Sequence, residues 1–196
     1  MNMSRPYSMT VRAGKAAATR QRILDATQDL FDAQATDFTL EQVAAAADTS
    51  VQTVLRAFGS KTALVVAAIG TSRAEAPTRD QRPRSLPEAV AQVFDDYEVI
   101  GDRVLLMLAE EHRIAEFAAG AAEGRARHRA WVEAAFAAPL ADHPARARRQ
   151  IVVALIAATD IYVWKLLRRD LGLDRAAAQA VVERLVRGAF VDEQGD

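Results

Sequence analysis

Two short stretches of helical apolar period lie next to each other in residues 40–61, separated only by residues 47–50. Helices of about two turns are marginal on their own, because nucleation is costly and tertiary packing has to supply the stability. So short a connection forces the two helices to cross steeply, as in a helix-turn-helix motif. Ala44 and Ala47 are small enough for a close crossing, and Asp48 tolerates the positive φ that such a turn can require.

Start and stop signals surround these two stretches. Thr39 and Gln42 have the spacing of a capping box for the second helix. Ser50 is a good N-cap for the third helix, and Gly59 can end it in a left-handed conformation. Ser60 then caps a fourth helix. These signals, with the apolar period before them, predict helices at about 16–33, 40–47, 50–58 and 61–76.

Helical patterns cover the rest of the chain as well, and we find no convincing strand. Residues 76–87 contain three prolines and no apolar period, which predicts a linker. Beyond it, the pattern predicts helices at about 86–100, 102–118, 123–138, 144–170 and 174–190. The predicted organisation is a basic flexible arm (1–15), a helix-turn-helix domain with its connecting helix (16–76), a linker (77–85), a second helical domain (86–190) and a tail (191–196). The predicted fold class is all-α, with about nine helices.

The composition limits the function classes further. With 51% hydrophobic and 26% charged residues, the 196-residue chain can bury a real core. It contains no cysteine, which excludes disulfides and thiolate metal sites and fits a cytoplasmic protein. The longest apolar run, residues 151–167, carries Asp160 and Lys165, so it is interpreted as a buried helix. We therefore expect no membrane partner, and no secretory signal is recognisable.

The third helix would present a polar face to DNA. Gln52 can bind adenine through two hydrogen bonds, Val51 can contact a thymine methyl group, and Arg56 can reach guanine or phosphate. Thr39 and Lys61 lie at helix N-termini, where phosphates bind well. The predicted DNA-binding residues are Thr39, Ser50, Val51, Gln52, Thr53, Arg56 and Lys61. The plainer interpretation of residues 40–61 is a helical hairpin in a bundle with solvated polar residues.

The arm adds positive charge ahead of this domain. Residues 1–22 contain five basic side chains and no acidic one. A basic arm before a folded domain is typical of contact with phosphate, although a basic tail without a function is an equal alternative.

The motifs of residues 19–66 resemble the N-terminal domain of the TetR family of bacterial transcriptional regulators. They include Arg22-Ile23-Leu24-Asp25-Ala26, Leu30-Phe31, Thr39, Val43-Ala44, Ala47, Ser50, Thr53, Phe58, Gly59-Ser60-Lys61 and Leu64. Three positions depart from the family pattern: Asp48 replaces the usual turn glycine, Leu55 a phosphate-contacting tyrosine, and Ala57 a frequent histidine. The departures suggest that affinity is weaker or depends more on Arg56, Lys61 and the arm. They also leave open an alternative function, a protein-interaction adaptor of helix-turn-helix shape that has lost DNA binding.

The resemblance implies a repressor that binds double-stranded, pseudo-palindromic operator DNA and associates with the nucleoid. It also implies that a small apolar or amphipathic effector, of unknown identity, binds in the second domain. The residues expected to bind it are Phe94, Tyr97, Met107, Glu111, His112, Phe117, Trp131, Tyr162 and Trp164.

The last two predicted helices carry more apolar residues than one monomer's core should need, and in the family the corresponding helices form a dimer interface. We therefore expect a homodimer. The expected interface residues are Ile151, Leu155, Ile156, Val163, Leu167, Val182, Leu185 and Val186.

Enzymatic activity has little support in the sequence. His112 and Glu116 are spaced i, i+4, with Glu111 adjacent, so they could act as acid–base groups or hold one metal ion. No second histidine motif, nucleophile motif or phosphate-binding loop accompanies them. We expect no catalytic site, no metal and no cofactor.

Overall fold

The computed structural model describes residues 5–34, 37–75, 79 and 82–191, with side chains at 13–33, 37–71, 79 and 82–191. The chain divides into two compact units, Met1–Arg73 and Ala74–Asp196. Throughout the described part, regular structure consists of helices without strands, so the predicted all-α fold is confirmed. Residues 77, 78, 80 and 81 of the predicted linker, residues 1–4 of the predicted arm and residues 192–196 of the predicted tail lie outside the described residues.

The first unit contains four helices: α1 (Arg5–Gln34), α2 (Leu40–Ala46), α3 (Val51–Phe58) and α4 (Lys61–Glu75). Its core is built from the apolar stripes that the sequence shows, with Ile23, Phe31, Val43, Val54 and Leu64 all buried. The Gln28 amide links α1 to α4 by donating a hydrogen bond to the Ala68 carbonyl (3.1 Å).

The arm differs from its prediction. α1 begins at Arg5, so the helix starts eleven residues before the predicted start at residue 16 and includes residues 5–15 of the predicted arm. Pro6 lies in the first turn, where its missing N–H costs nothing, and no other proline interrupts the helix.

The second unit contains α5 (Leu86–Ala109), α6 (Ala115–Ala135), α7 (Ala137–Ala141), α8 (Ala145–Ala158), α9 (Ile161–Lys165), a π segment (Leu166–Asp170) and α10 (Arg175–Gly188). α5 is the central helix and packs against α6, α9 and α10, while α8 packs against α6 and α10. A single core cluster lies between them, with Val90, Phe94, Val132, Leu155 and Trp164 at its most buried positions.

Two predicted helix ends are wrong, and both involve glycine. α5 continues through Gly101 to Ala109, and α6 runs through Gly120 and Gly124. At Gly101 the missing side chain serves packing rather than termination, since a Cβ there would lie 2.6 Å from Cζ3 of Trp164. Gly120 similarly faces the Met107 sulfur at 3.3 Å from its Cβ position.

Substitution at Gly101 should therefore be costly. We expect Gly101→Ala to lower the free energy of unfolding by about 1–3 kcal/mol, because the methyl group overpacks the contact with Trp164. Gly124→Ala in α6 is the matched control. The atom nearest to a Cβ at this position belongs to the Arg127 guanidinium and is 4.0 Å away. There we expect a gain of about 0.5–1 kcal/mol from helix propensity. Urea denaturation measures both, and equal stabilities of the two variants would contradict the close contact.

The predicted single helix 144–170 is interrupted. α8 ends at Ala158, and the Asp160 carboxylate accepts a hydrogen bond from the Tyr162 amide (2.9 Å) to begin α9. By length and composition, the stretch Ala145–Asp170 could also cross a membrane, a test that core helices of soluble proteins pass too. Here Leu155, Trp164 and Leu167 are buried within the second unit.

Candidate functional site

The turn between α2 and α3 has the geometry that the sequence predicts. Asp48 adopts a positive φ of 48°, and the Thr49 amide donates to the Ala44 carbonyl (2.9 Å). Ala44 and Ala47 are buried, so small side chains lie at the crossing. The Ser50 hydroxyl accepts a hydrogen bond from the Thr53 amide (3.2 Å) and begins α3. Local signals therefore fix where α3 starts.

α3 has one buried and one open side. Val54 is 1% exposed and fixes the inner side of the helix. Gln52 and Arg56, one turn apart, are exposed within the first unit, while Val51 and Thr53 are half-buried. The Thr53 hydroxyl lies 3.0 Å from that of Ser50. The polar face that the sequence predicts is thus present, with Ser50, Gln52 and Arg56 exposed.

The two predicted phosphate-binding positions, Thr39 and Lys61, differ in how well their surroundings suit a phosphate. Thr39 and Gln42 form the predicted capping box, which already occupies two backbone donors at the start of α2. Glu41 in the same turn is exposed; hydrogen bonds from its own backbone amide and from the Thr39 hydroxyl lower the pKa of its carboxyl. This negative charge disfavours a phosphate at Thr39. Lys61 lies in the first turn of α4, with its ammonium 4.5 Å from the centre of the Phe38 ring.

Two arginines near the end of the basic N-terminal stretch hold the helix-turn-helix together. Arg20 donates to the Ala57 carbonyl (2.9 Å), and its guanidinium lies 4.0 Å from the centre of the Phe58 ring. Arg22 donates to the Ala47 carbonyl (3.2 Å). Both carbonyls belong to helix C-terminal ends, which lack backbone partners. Sequence reasoning placed these side chains in a basic stretch that either contacts phosphate or has no function, and it missed this role, because their acceptors lie far along the chain.

The residues predicted to bind an effector do not form one group. Six are buried, and of these Phe94, Tyr97, Trp131 and Trp164 belong to the core cluster. Tyr162 is 55% exposed and His112 is also on the surface. Two surface depressions of about 460 and 360 Å³ lie on α6–α8, and none of the predicted residues lines them. The remaining predicted residue, Glu111, forms an ion pair with Arg125 (2.9 Å).

A buried arginine lies among several of the predicted residues. Arg79, from the segment between α4 and α5, forms an ion pair with Asp96 (2.7 Å), and the two side chains are only 8% and 2% exposed. Its guanidinium carbon lies 4.9 Å from the centre of the Tyr97 ring and 5.0 Å from that of Trp131. Arg79 also contacts Nδ1 of His128 at 2.9 Å. We call Asp96, Tyr97, His128 and Trp131 the Arg79 cage.

His128 connects the Arg79 cage to the break between α8 and α9. Its Nε2 lies 3.1 Å from the Thr159 hydroxyl, which donates to the Leu155 carbonyl (2.7 Å). The hydroxyl proton is thus used, so Nε2 carries the ring proton and Nδ1 accepts from Arg79. Burial, and then the charge of Arg79, lower the pKa of His128 to about 4. The ring is neutral at pH 7.

Most of the predicted dimer residues are used inside their own chain. Ile151, Leu155, Leu167, Val182 and Val186 are buried in the core of the second unit. Ile156 and Val163 are half-buried, and only Leu185 is clearly exposed, at 47%. These five residues serve the core of their own unit, because α8–α10 pack one apolar face on it, and their part in a dimer interface stays a prediction. The exposed large apolar side chains of this region are Val153, Tyr162, Leu166, Leu171 and Leu185.

Comparison with known proteins places the first unit in a family. Residues 23–68, which run from within α1 into α4, match the family model "Bacterial regulatory proteins, tetR family". Neither the curated proteins nor the solved structures gave a match to the chain. The matched residues include the turn at Asp48 and all of α3. With a helix-turn-helix of this geometry and this match, the first unit carries a DNA-binding domain of the tetR type.

Proposed function

We propose that the protein is a cytoplasmic repressor that binds a pseudo-palindromic operator as a homodimer and leaves it when a small amphipathic ligand enters the second unit. The observation that carries the proposal is the orientation of α3. Val54 points into the core, and Gln52 and Arg56 point out of the unit with no described side chain over them. This orientation suits a recognition helix, whose outer side chains meet base edges in the major groove.

Dimer formation is supported by operator geometry and by the surface of the second unit. Two recognition helices have to enter successive major grooves about 34–36 Å apart, which one copy of α3 cannot do. The exposed side chains of Val153, Leu166 and Leu185 supply apolar surface on α8–α10 beyond what the core uses. We propose that this outer surface, rather than the buried residues named from the sequence, joins the two chains.

Release of the protein from DNA follows from a shift in population between two states of the protein. A ligand changes DNA affinity only by its different affinity for the DNA-competent and the DNA-incompetent states. The chain segment after α4 connects the two units, so a ligand that changes how this segment is held can change the spacing of the recognition helices.

The proposal is tested by a mobility-shift titration with the DNA that flanks the protein's own gene. We expect saturable binding of two chains per site, confirmed by light scattering of the free protein and of the complex. Arg56→Ala should weaken binding by about 1–3 kcal/mol, because a contact to a base or phosphate is lost. Arg187→Ala is the matched control, since this exposed arginine of α10 forms an ion pair with Glu183. Equal affinities of the two variants would contradict the role of α3.

An adaptor that has lost DNA binding is the second candidate. It is favoured by one observation: Leu55 is 41% exposed on α3 and gives this helix an apolar element that a protein partner could cover. The same titration decides between the two, since no binding to this DNA at low salt supports the adaptor.

A further inference from the structure

We propose that the Arg79 cage is a binding site for a small organic cation of the guanidinium class, which Arg79 itself occupies in the absence of ligand. The proposal rests on the proposed function only for its consequence on DNA binding. The chemistry of the site stands on the residues of the second unit alone.

The Arg79 cage has the composition that recognises an organic cation. Two aromatic faces, those of Tyr97 and Trp131, lie within 5.0 Å of the guanidinium carbon, and the Asp96 carboxylate supplies the opposite charge. Cations bind well over aromatic rings at such distances, and best where water is excluded. A planar guanidinium also matches a carboxylate through its fixed pattern of donors. The class of ligand therefore follows from the group already bound there.

His128 completes the site as an acceptor. Its Nδ1 points a lone pair at the cation, because its other nitrogen is committed to Thr159. The ring lies 5.9 Å from that of Trp131 in a stacked arrangement, which holds the ring in place. Since the ring is neutral at pH 7, it adds a hydrogen-bond acceptor without repelling a bound cation.

Arg79 fits the site imperfectly. Its Nε is buried and has no hydrogen-bond partner in the described part of the chain. A buried donor without a partner carries a desolvation cost. A free cation is not held by a chain on one side, so it can orient its donors differently. Arg79 has the advantage of its tether, because a tethered group competes at an effective concentration in the millimolar range.

Displacement of Arg79 has a direct structural consequence. Arg79 lies four positions after Glu75, the last residue of α4. A cation that takes its place ends the ion pair by which Arg79 is held to α5. The Arg79 cage thus combines ligand recognition with a change at a position close in sequence to the end of α4.

The test uses the full chain and n-butylguanidinium as the probe, with n-butylurea as a neutral probe of similar shape. Calorimetry and tryptophan fluorescence, to which Trp131 and Trp164 both contribute, follow binding without DNA. We expect saturable binding of n-butylguanidinium to the wild type and none of n-butylurea. If Arg79 fills the cage about nine-tenths of the time, Arg79→Ala should bind the probe about tenfold more tightly. Arg84→Ala, an exposed arginine of the same segment, should bind like the wild type.

The outcomes separate a ligand site from a purely structural ion pair. If the wild type does not bind n-butylguanidinium saturably, the proposal is overturned, even if the probe stabilises Arg79→Ala by filling the space left there. If Arg79→Ala does not fold, the contrast between the two probes on the wild type still decides. If Asp96→Asn no longer distinguishes n-butylguanidinium from n-butylurea, the result supports the site. If Asp96→Asn still binds only n-butylguanidinium, the result counts against it.

A final mobility-shift experiment separates this proposal from the proposed function. Addition of n-butylguanidinium, but not of n-butylurea, should release the wild type from its DNA. If the probe binds but the protein shows no DNA binding in its absence, the proposed function fails and the cation site stands. If DNA binding is normal and the probe does not bind, the cation site fails and the proposed function stands.

Discussion

An Asp96→Asn variant is expected to lose about 3–5 kcal/mol of unfolding free energy, because the change removes one partner of a buried ion pair. The guanidinium of Arg79 would remain between two aromatic rings without the carboxylate that lies 2.7 Å away. Water cannot replace that charge, since both side chains are more than nine-tenths buried. Urea denaturation followed by circular dichroism measures the loss.

Asp95→Asn is the matched control. Asp95 is the preceding residue on α5 and forms an ion pair with Arg175, but these side chains are 43% and 41% exposed. Exposed pairs contribute about 0–1 kcal/mol, since water screens them. A similar loss in the two variants would show that burial of the Arg79 pair has no energetic effect, and the cation cage would lose its main physical support.

The second large effect is a dependence of stability on pH that comes from His128. Its pKa is about 4 in the folded chain, from burial and then from the charge of Arg79, against about 6.5 when unfolded. Between these values the unfolded chain binds a proton that the folded chain does not. The free energy of unfolding is therefore fully kept above pH 6.5 and falls by about 3 kcal/mol as the pH drops towards 4.

The contribution of His128 to this pH dependence can be isolated by comparing its substitution with that of another histidine, His112. Arg79 contacts His128 directly, and Asp96 pairs with Arg79. We therefore expect His128→Gln to flatten the curve of unfolding free energy between pH 6.5 and 4, while His112→Gln, at an exposed position, keeps the slope of the wild type. An unchanged slope in His128→Gln would contradict the buried neutral ring.

The first unit could be predicted well because its signals are local. The capping box of Thr39 and Gln42, the N-cap at Ser50 and the end of α3 at Gly59 each involve residues a few positions apart. Asp48 adopts the positive φ expected of it for the same reason. The exposed side of α3 then follows from helical period alone, once Val54 is known to be inside.

The second unit was less predictable, because its decisive contacts join distant positions. Gly101 has the sequence context of a helix end, and only its contact with Trp164, 63 residues later, explains why α5 continues there. Arg79 stands in a proline-rich stretch and has the context of a solvated residue, although its partners are Asp96 and His128. No local pattern links these positions.

The apolar faces of α8 and α10 pose a different problem. Both helices carry large apolar residues on more than one side, and period alone does not say which side faces the chain's own core. Leu155 and Val186 are buried, while Val153 and Leu185 on the same helices are exposed. Only packing against α5 and α6 distinguishes them, which is why five of the predicted interface residues lie in the core of their own unit.

The π segment Leu166–Asp170 sets the directions of the two arginines that it carries. Each of its turns closes one residue later than an α-turn, so consecutive side chains are spread less far around the axis. Arg168 and Arg169 both reach the same helix, α5, where they form ion pairs with Glu98 (2.7 Å) and Asp102 (2.8 Å). Removing a single residue ahead of them within this segment would turn both side chains by about 100° around the axis. A length change of one residue would thus cost α5 two ion pairs while leaving the composition of the chain nearly the same.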